Sequence, residues 1–366
     1  MKGVIFIPRQ GENIRKRKDG RWEARFKQRG KTTYQSVYGK SYFEVKRKMR
    51  VAMVELPKPK INDRLFSATC LEWLSHIQDE TKPSTYANYV FQVQRHIIPY
   101  FNKMSLSKID DALIESFLKE KRQHGRLDNK GGLSAKTVHD LSVILSQILK
   151  FAGIDCRMVT KSPKTKTIDI LSSSEHQQLM QGIMMNLNLE TLGFFVALST
   201  GIRIGELCAL KWGDIYFDDE FIRVDKTLQR IKNTSDVGAK TKIIITEPKS
   251  VHSVRDIPIP PELYDLLLQQ REKNNAFVLT GQADKFFEPR TYQEKFKKHL
   301  KRFGLRDMKF HVLRHTFATR AVSQGFEIKS LSEILGHANS SFTLEKYVHN
   351  SIELKKLNMN KLSFVC

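Results

Sequence analysis

Between positions 65 and 152 the chain repeats apolar residues at helical spacing. Phe66, Cys70, Leu71, Trp73, Leu74 and Ile77 fall three and four apart, which predicts an amphipathic helix over 65–78. Further helices are expected from Ser84 to Ile97, over 110–124 and over 134–152, with Ser84 and Ser134 placed at helix starts. Four short helices in about 100 residues make a small helical bundle. Residues 189–200 are apolar on every side and end at Gly201, while Ser172 with Glu175 reads as the cap of the helix before them. Strands at 221–229, 242–246 and 254–259 should form one small sheet, and helices resume at 261–273 and 291–303 and continue to the end. The fold class is therefore mainly α with small β-sheets (α+β).

The first 55 residues follow another rhythm. Trp22, Ala24 and Phe26 alternate with charged residues after the turn pair Asp19-Gly20. Arg29-Gly30-Lys31 makes a second turn into residues 32–38, which together read as a hairpin. Residues 41–55 look helical, with Ser41 as cap and Glu44 three residues on. Leu56-Pro57-Lys58-Pro59-Lys60 reads as an extended linker, and 161–167 as a second seam. The expected domains are 1–55, 62–160 and 169–366.

The formal net charge is +23, and residues 1–60 carry 18 Lys/Arg against 5 Asp/Glu. More than half the excess thus sits in the first sixth of the chain, which favours a polyanion partner. A strand face with Arg21, Arg25 and Lys27 suits groove or phosphate contact, and Lys82, Lys136, Ser84, Arg95 and Thr137 are further candidate phosphate contacts. No apolar run reaches membrane-spanning length and no signal peptide opens the chain. Cys70, Cys156, Cys208 and Cys366 are far apart without a CxxC pair, so neither a zinc site nor a disulfide framework is expected, and a cytoplasmic location fits.

The candidate chemistry lies in the last 165 positions. Arg203 stands in Thr-Gly-Ile-Arg-Ile-Gly-Glu-Leu (200–207), and His311 and Arg314 stand in His-Val-Leu-Arg-His (311–315). His337 closes Leu-Gly-His (335–337), and Tyr347 lies in Glu-Lys-Tyr-Val-His (345–349). Two arginines can hold a phosphate bidentately while staying charged. Arg203 near a helix start would share that anion with open backbone N–H groups, and Glu206, on the same helical face, would hold its guanidinium. His311 and Arg314, three apart, would point from one helix face toward one place, with His311 taking the phenolic proton or donating to the phosphate. His315, beside Phe317 and Ala318, is expected to point elsewhere and pack as structural support. No carboxylate cluster suited to Mg²⁺ lies near these frames, so neither a metal nor another cofactor is expected.

These frames, in this order, resemble the tyrosine recombinase (phage integrase) family over at least residues 170–350. The resemblance implies cutting and rejoining of DNA through a 3′-phosphotyrosine link, with Tyr347 as nucleophile, ten residues after His337. Tyr264 and Tyr292 lie in helices before the His-x-x-Arg frame. Pro248-Lys249-Ser250 through Pro258 resembles the family's hairpin, which makes Lys249 the general acid on the leaving 5′-oxygen, with Lys240 or Lys242 as fallback. Residues 1–55 resemble the three-stranded arm-binding domain of phage and conjugative-transposon integrases, and 62–160 the helical core-binding domain. The resemblance further implies core and arm sites on double-stranded DNA, a homotetramer on DNA, help from DNA-bending and excision factors, and integration and excision of a mobile genetic element. A type IB topoisomerase shares the chemistry but lacks the basic arm module and the Leu-Gly-His frame; a non-catalytic DNA-binding regulator would not need the intact set.

Overall fold

The computed structural model describes residues 13–27, 34–54, 64–156, 168–234, 239–246, 254–337, 339–347 and 359. Its contacts divide the chain into two compact units, residues 1–77 with 92–162 and residues 78–91 with 163–366.

The basic N-terminus folds into β1 (Ile14–Lys16), β2 (Trp22–Lys27) and β3 (Tyr34–Gly39), an antiparallel sheet with β2 in the centre, followed by α1 (Tyr42–Val54). Ile14 pairs with Ala24, and both turn inward against Val45 of α1, with Trp22, Val37, Tyr42 and Met49 packed around them. This is what period-two alternation produces when one face is covered by a helix. The cap reads as the sequence implied: Ser41 Oγ accepts the Glu44 N–H at 3.2 Å and Glu44 Oε2 accepts the Lys40 N–H at 2.8 Å. The second turn and the Pro57–Pro59 linker lie outside the described residues.

α2 (Phe66–Ile77), α3 (Pro83–Gln92), the short α4 (Ile98–Phe101), α5 (Asp111–His124) and α6 (Ala135–Phe151) come next. The helix expected to end at Ile97 instead passes from α3 through a widened π turn, Val93–Ile97, into α4. Pro99 explains the irregularity, because it has no N–H for the carbonyl four residues back and its ring crowds that carbonyl. Phe101 packs against Phe66 and Phe117, with ring centroids 5.1 Å apart in each pair.

Beyond the residue 78–91 segment, which carries most of α3, the second unit continues with α7 (Ser173–Met185), whose cap Ser172 and Glu175 exchange hydrogen bonds as the sequence suggested. α8 (Leu189–Thr200) is buried from Thr191 to Leu198 on all sides, so its lack of amphipathic pattern marks the centre of the core. After α9 (Ile204–Ala209) come β4 (Ile215–Tyr216), β5 (Phe221–Val224), β6 (Thr227–Lys232), β7 (Thr241–Thr246) and β8 (Arg255–Pro258). The single expected sheet is in fact two: β4-β5-β8, and a separate β6–β7 hairpin. The run 221–229 breaks at Asp225-Lys226, where Lys226 Nζ reaches Asp214 Oδ1 at 2.8 Å. α10 (Pro261–Gln269), α11 (Pro289–Arg302), α12 (His311–Ser323), α13 (Ile328–Leu335) and α14 (Ser340–Tyr347) complete the unit.

Two glycines fix the ends of the helices that carry the candidate chemistry. Gly201 ends α8 at φ +66°, and a Cβ there would come within 2.6 Å of Phe317 and 2.8 Å of Leu335. Gly336 ends α13 at φ +63°, with the Arg255 side chain 3.1 Å from where its Cβ would be. Left-handed backbone and close approach coincide at both positions, which is what glycine permits.

Candidate active site

At the C-terminal end of α13, three successive carbonyls each receive a guanidinium. Arg255 Nε donates to Ile334 O at 2.6 Å, Arg314 Nη2 to Leu335 O at 2.7 Å and Arg203 Nη2 to Gly336 O at 3.1 Å. Cations are favoured at a helix C-terminus by both its last carbonyls and the negative end of the helix dipole. Arg314 is further fixed through Nη1 to Gly201 O at 2.7 Å, so the ends of α8 and α13 share it. Two arginines expected together are thus brought together, by α9 and α12 respectively.

Glu206 neutralises part of this charge. Its carboxylate accepts from Arg203 Nη1 at 2.8 Å and from the Arg203 N–H at 3.0 Å, and it takes both Nη groups of Arg255 at 3.2 and 2.8 Å. Burial pushes its pKa up, but the Arg255 and Arg203 charges and hydrogen bonds outweigh this and hold the carboxyl at about 2. The expected support of Arg203 by Glu206 is therefore present. The backbone N–H expected to stand ready for an anion is instead spent on that carboxylate.

Arg314 is 2% exposed. Burial, followed by the charge of Arg203, pushes its pKa down to about 9, so it remains a cation at neutral pH. The Arg203 side chain keeps 35% exposure, which makes it the open side of the cluster.

His337 comes directly after the Gly336 turn. Its Nε2 sits 2.9 Å from Arg314 Nη2 and its Nδ1 2.8 Å from Thr343 Oγ1. Tyr347, the last residue of α14, is 2% exposed and stacks on His337 with centroids 6.3 Å apart and rings 3° from parallel. Burial raises the phenol's pKa, while the Arg314 and Arg203 charges pull it back without fully offsetting the burial. The nearby cations therefore leave the phenol protonated in this state.

One expectation about direction is overturned. His315 points to the site: its Nδ1 lies 2.9 Å from the Tyr347 hydroxyl. His311 opens α12 exposed, with its ring 4.4 Å from that of His315. Positions four apart on a helix share a face, and this placed His315 beside His311 despite its apolar neighbours.

Sequence reasoning gave no role to Arg255 or Thr343. The signal for Arg255 was strand alternation, since Arg255 and Ile257 share the buried face of β8 while Asp256 and Pro258 face out. Thr343 lies four residues before Tyr347 and is fully buried. Of the excluded tyrosines, Tyr292 is a core residue whose hydroxyl donates to Glu190 O at 2.7 Å. Lys249 lies outside the described residues; Lys240 and Lys242 are exposed around the start of β7.

The DNA-contact candidates lie apart from this cluster in sequence. Arg25 is exposed, with its guanidinium 4.9 Å from the Tyr34 ring centroid, and Arg21 bonds Asp19 at 2.8 Å. The Lys27 side chain lies outside the described residues. Lys82 is exposed, and Lys136 is exposed with Asp140 3.5 Å away.

The phage integrase family model matches residues 169–353, and the model of a phage integrase N-terminal SAM-like domain matches residues 65–122. A tyrosine recombinase XerC-like protein of Caldanaerobacter subterraneus is 28% identical over 310 residues, covering 76% of this chain and 77% of that one. The ICEBs1 integrase of Bacillus subtilis is 26% identical over 331 residues, 85% and 86% of the two chains. The solved Tn1549 transposon integrase in complex with circular intermediate DNA shares the fold at TM-score 0.63 and 22% identity, over 81% of this chain and 99% of that one. A lambda integrase tetramer bound to a Holliday junction aligns at TM-score 0.53 and 18% identity, over 95% and 99%. The chain belongs to the phage integrase family, the tyrosine recombinases.

Proposed function

We propose that Tyr347 attacks a DNA phosphodiester held between Arg203 and Arg314, and that this step drives site-specific recombination by the chain. As a tyrosine recombinase it cuts and rejoins DNA to integrate and excise a mobile genetic element. The observation that carries the residue assignment is the Arg314 guanidinium, which touches the ends of α8 and α13 and His337 while its charge acts on the Tyr347 phenol. A phosphate entering beside the exposed edge of Arg203 meets two cations and one imidazole close to that phenol. Their charge would be placed before the reaction, where it stabilises developing oxyanions at little reorganisation cost. Lys249 protonates the leaving 5′-oxygen, and the free 5′-hydroxyl then attacks the partner strand.

The chain works as three modules in this reading. Residues 1–55 bind arm-type sites, with Arg21, Arg25 and Lys27 toward the DNA; 62–160, with Lys82 and Lys136, and 169–366 clamp the core site. The sheet module has its own small core of Ile14, Ala24 and Val45, which supports treating it separately. Four copies assemble on two duplexes in the cytoplasm, assisted by a DNA-bending host factor and an excision factor. Among the described residues no helix is long and apolar enough to cross a membrane.

The test is covalent capture on a nicked duplex spanning the end of the element. The wild-type chain should form an adduct, and Tyr347→Phe should form none while keeping its affinity for DNA. An adduct formed by Tyr347→Phe would refute the assignment.

A further inference from the structure

We infer that His315 is a catalytic residue, the base that removes the phenolic proton of Tyr347 during strand cleavage. The inference rests on the nucleophile assigned above and names a proton acceptor the sequence placed elsewhere. His315 Nδ1 lies 2.9 Å from Tyr347 Oη, within direct proton-transfer distance. For the phenol to donate, Nδ1 must be bare, so the ring carries its proton on Nε2.

The other histidine on this phenol is already committed. Arginine has only donors, so the 2.9 Å contact between Arg314 Nη2 and His337 Nε2 uses the His337 acceptor lone pair. Neutral His337 then carries its proton on Nδ1 and donates to Thr343 Oγ1 at 2.8 Å. It can bind the phosphate after rearrangement, but in this arrangement it has no lone pair for Tyr347. His315 has an exposed neighbour able to pass the proton on: the His311 ring, four residues earlier on α12, sits edge-on at 4.4 Å.

The charged groups around the imidazole suit the task. From the segment before α7, Asp169 feels the His315 charge and is itself bonded to Arg306 at 2.8 Å. That segment is held against α12 by the Leu171 N–H donating to Thr316 Oγ1 at 2.9 Å. From the phosphate side, Arg314 and Arg203 favour the phenolate, the form that remains once His315 has taken the proton. An imidazolium formed there is favoured by the charge of the Asp169 carboxylate.

The step balances without any additional reagent. The Tyr347 Oη–H bond breaks as Oη–P forms, the proton moves to His315 Nδ1, and P–O5′ breaks with its electron pair on the 5′-oxygen. That oxygen takes a proton from the separate general acid. Religation runs the same transfers in reverse, with His315 returning the proton to Tyr347.

The experiment is single-turnover cleavage of a nicked element-end duplex across a pH series, with two versions of the substrate. One carries the normal 5′-oxygen at the scissile bond and the other a bridging 5′-sulfur, whose departure needs no acid. His315→Gln and His315→Ala should cleave both substrates on the order of a hundredfold more slowly than wild type, at unchanged DNA affinity. Wild-type cleavage should fall toward acid pH as the imidazole takes up a proton, and this limb should vanish in His315→Gln. Added imidazole should restore part of the His315→Ala rate, which a purely structural defect would not allow. Cleavage by His315→Ala at or above the wild-type rate would show that the contact only parks the phenol, and would overturn the inference. Recovery of the variants on the sulfur substrate would place His315 on the leaving group and overturn it equally. Loss of the acid limb in His311→Gln but not in His315→Gln would transfer the role to His311. Failure of the nucleophile assignment has its own signature, an adduct formed by Tyr347→Phe.

Discussion

Replacing Glu206 by glutamine removes one charge and almost no volume from the centre of the arginine cluster. Glu206 is 4% exposed and touches Arg203 and Arg255 through both oxygens. Burial opposes its ionisation, yet the two arginines hold its carboxyl at about 2, against an ordinary 4.5. A depression of that size contributes about 3 kcal/mol to the second unit at neutral pH. Because the folded pKa lies below the unfolded one, this stability is present above pH 4.5 and is lost as the pH falls toward 2. Glutamine cannot titrate, and its amide N–H₂ would face a guanidinium. Glu206→Gln should therefore be less stable by about 3 kcal/mol at pH 7, with the gap shrinking below pH 4.5 and closing near pH 2. Urea titrations read by hydrogen exchange on α9 and α13 peptides score this unit alone. A gap under about 0.5 kcal/mol at pH 7, or one that does not change with pH, would refute the coupling of Arg203 and Arg255 through Glu206.

Three further outcomes are expected. Arg203→Lys keeps the charge but loses the fork, and adduct formation should slow by about a hundredfold or more in single-turnover assays. Gly336→Ala forces a Cβ into left-handed backbone 3.1 Å from Arg255, so thermal unfolding of the second unit should show a loss of about 1–2 kcal/mol, with slower cleavage as His337 shifts. Deleting residues 1–55 removes much of the positive charge, and the slope of arm-site affinity against salt should flatten in filter-binding titrations while core-site cleavage persists.

What could be read from the chain depends on how local each signal is. The caps at Ser41 and Ser172 and the end of α8 at Gly201 depend on residues within four positions, and all three appear as the sequence implied. The break between β5 and β6 depends on Lys226 meeting Asp214, twelve residues away, and alternation alone reads through it. Arg255 was hidden because its partners, Glu206 and Ile334, are 49 and 79 positions distant. The apolar neighbours Phe317 and Ala318 point His315 toward the core, whereas its spacing of four from His311 puts it on the helix face that meets Tyr347. The order of frames singles out Arg203, Arg314, His337 and Tyr347 as candidates, but only the fold reveals that three successive carbonyls at the end of α13 gather arginines.

The convergence of these groups on one phosphorus can be observed directly. A crystal structure of the chain on nicked element-end DNA with orthovanadate at the break would hold a pentavalent mimic of the cleavage transition state. Vanadium should be bonded to Tyr347 Oη, with Arg203, Arg314 and His337 all within hydrogen-bond distance of its equatorial oxygens. Vanadium bonded to any other side chain, or either arginine facing away from it, would contradict that convergence.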